Sequence, residues 1–89
     1  MLNVYALDGC PHCRRTIAYL KENRIDFVYH DMEQQTESIE KKIIEVNGGE
    51  DWVVPTIEYR GIWRRGKEFD ARELKKDLID MGVFEESIK

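Results

Sequence analysis

The sequence predicts an α/β fold, a mixed four-stranded sheet flanked by three helices in the order β-α-β-α-β-β-α. Three observations carry that prediction. Short apolar or β-branched runs alternate with stretches of helical period. The first three elements read as a β-α-β unit, which demands a parallel pair joined by a right-handed crossover. Two further short strands flank Arg60-Gly61 closely enough to form a hairpin, adding antiparallel pairing. A chain of 89 residues supports one core and one domain.

Each element has a local cause. "LNVYAL" (2–7) is almost continuously apolar and ends at Asp8-Gly9, the pattern of a strand buried on both faces. Cys10-Pro11 then opens a helix, because proline loses nothing in the first turn. Ile17 and Leu20 recur at helical spacing from Cys13, and Asn23 provides a stop. "IDFVYHD" (25–31) is aromatic and β-branched and reads as the second strand. In "TESIEKKIIEV" (36–46), Ile39, Ile43 and Val46 share one face, with Thr36 or Ser38 as cap and Asn47-Gly48-Gly49 as terminator. Pro55 marks the start of a strand rather than its middle. "TIEY" and "IWR" pair as the hairpin. "DARELKKDLIDMGV" is the last helix, capped by Asp70, with Leu74, Leu78 and Met81 on one face and Gly82 at its end.

Composition narrows the function. Hydrophobic residues are 42% and charged residues 36%, a globular balance. No apolar run spans a bilayer, and "MLNVYALDGC" lacks the basic and apolar regions of a secretory signal, so a cytoplasmic location is expected. The net charge of −4 argues against nucleic acid as a partner, and no membrane association is expected. Basic residues cluster at Arg60, Arg64, Arg65 and Lys67, and again at Arg14 and Arg15. Such runs serve either as a solvated surface or as local steering of a small anion.

Both cysteines lie in "LDGCPHCRRT" (7–16), as Cys10 and Cys13. A structural bridge across two intervening residues closes a tiny loop and stabilises little. A reactive dithiol is the better use of the pair in a compartment that keeps thiols reduced. Cys10 sits where a strand turns into a helix, so the free N–H groups of the first turn and the helix dipole stabilise a thiolate there. A protonated His12 and the nearby arginines act in the same direction. Cys13, one turn further on, points inward and is the less accessible thiol. Residues i and i+3 of a helix are neighbours, so Cys13 can displace whatever Cys10 has captured. Pro11 stiffens the turn and His12 tunes the site. Zinc is the weaker reading: only His12 and His30 are available to complete a site, and His12 is inside the motif. His30 reads as a surface or internally satisfied residue, and no metal is expected.

At this point the chain resembles a glutaredoxin, a small member of the thioredoxin-fold superfamily. "CPHCRRTIAYLKENRIDFVYHDM" is similar to the family's CPxC, first helix and second strand. "VVPTIEYRG" is similar to its TVP segment, and "GKEFDARELKKDLIDMG" to its last helix. The resemblance implies a thioredoxin fold over a single domain, 1–89. It also implies a dithiol–disulfide oxidoreductase acting through Cys10 and Cys13 on protein or small-molecule disulfides. By the same likeness Val54-Pro55 is a cis bond, and Val54 holds a bound peptide in a strand-like grip. Val54, Pro55, Thr56, Gly66 and Glu68 are then the residues that meet substrate or glutathione. Without that likeness, Pro55 reads as an ordinary trans proline.

The departures concern glutathione. Leu7 stands where family members usually carry a basic residue, and of the Gly-Gly-x-Asp turn "RRGKEFD" keeps Gly66. Glu68 or Asp70 then supplies the acid, and Arg64, Arg65 or Lys67 the lost positive charge. No tightly bound cofactor is expected, and the protein is expected to be a monomer. The electron donor is glutathione, another thiol or a thioredoxin-reductase-like flavoprotein. Two other classes stay open: a glutaredoxin-like module whose Cys10 ligates an iron–sulfur cluster or other metal, and a redox-regulated partner-binding domain. Trp52, ahead of the VVPT segment, has two readings, substrate contact or packing. Trp63, beside Ile62, has a ready structural use.

Overall fold

A computed structural model describes residues 1–84; residues 85–89 of the expected domain lie outside them. Its elements are β1 (Leu2–Ala6), α1 (Pro11–Glu22), β2 (Phe27–Asp31), α2 (Glu37–Val46), β3 (Thr56–Tyr59), β4 (Ile62–Arg64) and α3 (Ala71–Asp80). The sheet order is β2-β1-β3-β4. β1 and β2 run parallel, whereas β1–β3 and β3–β4 are antiparallel. This is the thioredoxin-like α/β fold with three helices, as expected.

The sheet has two unlike faces because alternate side chains point opposite ways. Leu2, Val4 and Ala6 of β1 and Ile57 of β3 meet Cys13 and Leu20 of α1 and Leu74 and Leu78 of α3 in the main core. On the other face, Tyr5 joins Met32 and Ile43, with Leu7, Ile39, Trp52, Val54 and Trp63 packed around them. Tyr5 is sandwiched across the sheet by His30 at 4.5 Å and Trp63 at 5.8 Å between ring centres. Trp52 and Trp63 therefore both pack against this second cluster, and His30 also hydrogen-bonds Asn3 Oδ1 through Nε2 at 2.9 Å.

The helix ends follow their caps. Thr36 Oγ1 accepts the Ile39 N–H, and Asp70 Oδ1 accepts the Glu73 N–H. Asn23 closes α1, after which Arg24 adopts φ 55° and the Ile25 N–H returns to the Leu20 carbonyl. That turn uses up Ile25 and Asp26, so β2 begins at Phe27 instead of 25. A short 3₁₀ turn over Met32–Gln34, unforeseen in the sequence, is started by Asp31 Oδ1 accepting the Glu33 N–H. In the hairpin both Arg60 (φ 50°) and Gly61 (φ 85°) are left-handed, the signature of a type I′ turn.

One expectation needs correcting. The basic run was read as a solvated surface or an anion-steering patch, but Arg64 is only 6% exposed. Its Nε donates to Asp77 Oδ2 at 2.7 Å, and Lys67 Nζ reaches the same oxygen at 3.0 Å. The side chain alternation of β4 turns Arg64 inward under α3, where it requires a carboxylate partner. Burial alone would raise the Asp77 carboxyl. The hydrogen bonds from Arg64 and Lys67 outweigh it and hold the group below its ordinary range.

Candidate active site

The end of β1 delivers Leu7 to the loop Asp8-Gly9, and the chain turns into α1 at Cys10. Arg14 Nε donates to the Asp8 carbonyl at 2.9 Å and Tyr29 Oη to Asp8 Oδ1 at 2.9 Å, so the turn is held from α1 and from β2. Arg14 thus spends one donor on the backbone. Cys10 is the N-cap of α1, with Pro11 in the first helical position. Its Sγ accepts the Cys13 N–H at 3.4 Å, the position that a serine or aspartate oxygen fills in other helices. The half-buried sulfur therefore faces the positive end of α1.

Cys13 is different in every respect. It is fully buried in the main core, 0% exposed. Burial pushes its thiol up to about 12, and proximity to Cys10 adds to this, against a lowering hydrogen bond from the Leu7 backbone. Both thiols are free. The pair thus combines a partly accessible sulfur at a helix N-terminus with a neighbour kept protonated at neutral pH.

His12 lies between them and does something not read from the sequence. Its Nδ1 accepts the Phe69 N–H at 3.0 Å, tying the first turn of α1 to the loop before α3. A protonated imidazole has no lone pair there, so this bond belongs to the neutral ring.

The loop that carries the second proline also packs against the main core. The Val54-Pro55 bond is cis, as the resemblance implied. Val54 and Cys10 are both half-buried against the main core. Outside the β1–β3 ladder, which starts at Thr56, the described residues give Val54 N–H and C=O no hydrogen-bond partner. Val53 is 43% exposed. Thr56, expected to meet substrate, is 0% exposed and instead donates Oγ1–H to the Val53 carbonyl at 2.6 Å. Pro55 is buried as well.

Gly66 sits directly against Val53: a Cβ there would lie 2.4 Å from Val53 Cγ1 and 2.9 Å from the Val53 carbonyl carbon. Glu68 is exposed, whereas Asp70 is engaged in capping α3. Arg64 and Lys67 are committed to Asp77, whereas Arg65 is exposed and makes a long 3.5 Å bond to the Asn47 carbonyl. Asn47 is the residue that sequence reasoning missed. It was read as part of a helix stop, yet its amide links three segments. Among the described residues no three His, Cys, Asp or Glu side chains form a metal-holding group, and no helix is long and apolar enough to cross a membrane.

A dithiol at the start of the first helix of a β-α-β-α-β-β-α chain, with a cis-proline just ahead of β3, defines a thioredoxin-like fold carrying a CxxC site. The glutaredoxin family model matches residues 2–62, and the chain belongs to the glutaredoxin family. The fold is shared with the crystal structure of a glutaredoxin from Archaeoglobus fulgidus, at a TM-score of 0.66 and 23% identity, covering 84% of this chain and 82% of that one. No curated protein matches the sequence. Family and fold support a thiol–disulfide oxidoreductase-like function.

Proposed function

We propose that the protein reduces protein or small-molecule disulfides through Cys10 and Cys13, within the cytoplasm. The observation that carries this reading is the asymmetry of the pair: Cys10 Sγ takes the Cys13 N–H at the start of α1, while the Cys13 thiol is buried and pushed up to about 12. Cys10 is then the attacking sulfur. Its thiolate forms a bond to one sulfur of the substrate, the substrate S–S bond breaks, and the first thiolate leaves. That departing thiolate, or water, takes the Cys13 proton. Cys13 next attacks the Cys10 sulfur, expels the second substrate thiolate and leaves a Cys10–Cys13 disulfide. Two electrons have passed from the dithiol to the substrate.

The segment beside the site supports a peptide-like substrate. Outside the sheet ladder, the described residues leave Val54 N–H and C=O without a partner, the two groups an extended peptide needs to add itself as a strand. For glutathione as electron donor, Arg65 is the available cation, since Arg64 and Lys67 serve Asp77. The alternative donor is a thioredoxin-reductase-like flavoprotein. Reduction of insulin or a small disulfide, run in parallel with glutathione plus its reductase and with a thioredoxin reductase, tests the proposal. Turnover in one arm identifies the donor; no turnover in either, together with failure of the pre-reduced protein to reduce the disulfide once, overturns it.

A further inference from the structure

Residues 50–55 carry the substrate-facing Val54 but belong to no helix or strand. Outside the sheet ladder, the described hydrogen bonds tie this segment to the rest of the protein at one point, the Val53 carbonyl. The Thr56 hydroxyl that holds it has a single hydrogen to give. What aims that hydrogen is Asn47: its Nδ2 donates to Thr56 Oγ1 at 3.0 Å, occupying the oxygen from the other side. The same Nδ2 donates to the Ile43 carbonyl at 2.8 Å, and Oδ1 accepts the Gly66 N–H at 2.7 Å. Asn47 also caps α2 with its backbone N–H. The chain of bonds runs from Gly66 N–H through Asn47 and Thr56 to Val53, and none of the buried side-chain atoms along it is left unpaired.

We infer that Asn47 and Thr56 are positioning residues for substrate: they set the height and direction of the Val53–Val54 segment, so that Val54 can hold a peptide disulfide. The inference rests on the redox reading above and adds to it the residues that shape the peptide-binding edge. Neither touches the reacting sulfurs. Thr56 is buried, and Asn47 acts through it.

Thr56→Val keeps the volume, removes the hydroxyl and leaves the Val53 carbonyl unheld. The test is a single-turnover reaction of pre-reduced protein, which needs no external donor, with two substrates: a short peptide disulfide and bis(2-hydroxyethyl) disulfide, which has no peptide to grip. For Thr56→Val and Asn47→Ala, the half-saturating concentration of peptide disulfide should rise at least 10-fold, about 1.4 kcal/mol of binding. The rate with the hydroxyethyl disulfide and the alkylation rate of Cys10 should stay within 2-fold, roughly the noise of such comparisons. Thr56→Ser should restore peptide binding, and the double variant should lose no more than the worse single one, because both cut the same chain. A Thr56→Val protein that binds peptide disulfide as tightly as wild type overturns the inference. So does one that loses both substrates and Cys10 alkylation in parallel, since that is general loosening. A wild-type protein inactive on both disulfides overturns the redox reading itself, and this inference with it.

Discussion

His12 Nδ1 and the Phe69 backbone nitrogen lie 3.0 Å apart, joining one of the two residues between the cysteines to a loop 57 residues later in the chain. The interior of the CPHC motif is therefore a structural clip as well as part of the candidate site. Phe69 is held on its other side by Tyr19 of α1, ring centres 6.3 Å apart, so the loop before α3 is fastened twice to the same helix.

The clip makes a stability prediction. His12→Leu leaves the partly buried Phe69 N–H without an acceptor and should cost about 1–2 kcal/mol. His12→Asn, whose side-chain oxygen can take the place of Nδ1, should recover at least half. Urea denaturation midpoints of the three proteins check this, and equal losses for Leu and Asn would show that the bond contributes nothing.

The two thiols should differ in reactivity. At pH 7 iodoacetamide should modify Cys10 and spare Cys13, which is buried and whose thiol is pushed up to about 12. Mass spectrometry of peptides from the folded, reduced protein reads this directly. Labelling of both at similar rates contradicts the asymmetry on which the mechanism rests.

The same burial predicts a pH dependence. A thiol whose value rises from an ordinary 9.0 to about 12 on folding binds its proton more tightly in the folded state. Its stabilising contribution is fully present below pH 9 and is lost as pH rises towards 12, because the unfolded state then holds fewer protons. Tyr29, raised to about 12 first by burial and then by its bond to Asp8 and nearby charges, acts in the same sense from pH 10 upward. The Tm of reduced protein should fall between pH 8.5 and 10.5, and less steeply in Cys13→Ala. Identical slopes would refute the assignment to Cys13.

Removing the carboxylate of Asp77 strands the buried Arg64 guanidinium. Asp77→Asn should cost about 3 kcal/mol, since breaking a buried pair leaves an uncompensated charge. Acid should mimic it in part: with its carboxyl held below the ordinary 3.8, Asp77 contributes stability above pH 4 that disappears as pH falls through its folded value. Denaturant titrations at pH 7 and pH 3 should show the gap between wild type and Asp77→Asn narrowing in acid.

Gly66 should tolerate no side chain. A methyl group 2.4 Å from Val53 Cγ1 forces the two loops apart, and Gly66→Ala should cost about 1–3 kcal/mol. Val53→Ala in the same chain removes the nearest offending atom and should restore part of the loss. Additive losses in the double variant would mean that the two positions do not meet.

Much of this was legible in the residues. Apolar runs, periodicity and caps located the seven principal elements within a residue or two at most ends, and the likeness carried by CPHC and VPT implied the cis bond before Pro55. The boundary errors have local causes: Arg24 in a left-handed turn delays β2, and the Asp31 cap inserts a turn before α2. Other features have another cause. Arg64 looked like one more surface cation, and the second role of Asn47 beyond stopping α2, like the bonds of the buried Thr56, depends on partners brought in by the fold.

Hydrophobic spacing and the chemistry of proline, glycine and cysteine act over a few residues, so the amino-acid order by itself determined the fold class and the presence of a cysteine pair at a helix start. Which polar side chains would be buried, and against what, was decided only when α2, the proline loop and α3 came together. A buried hydrogen-bonding group must find its partner wherever the chain supplies one, and that requirement is met across the tertiary structure: Asp77 for Arg64, Asn47 for Thr56, and His12 for the backbone of Phe69.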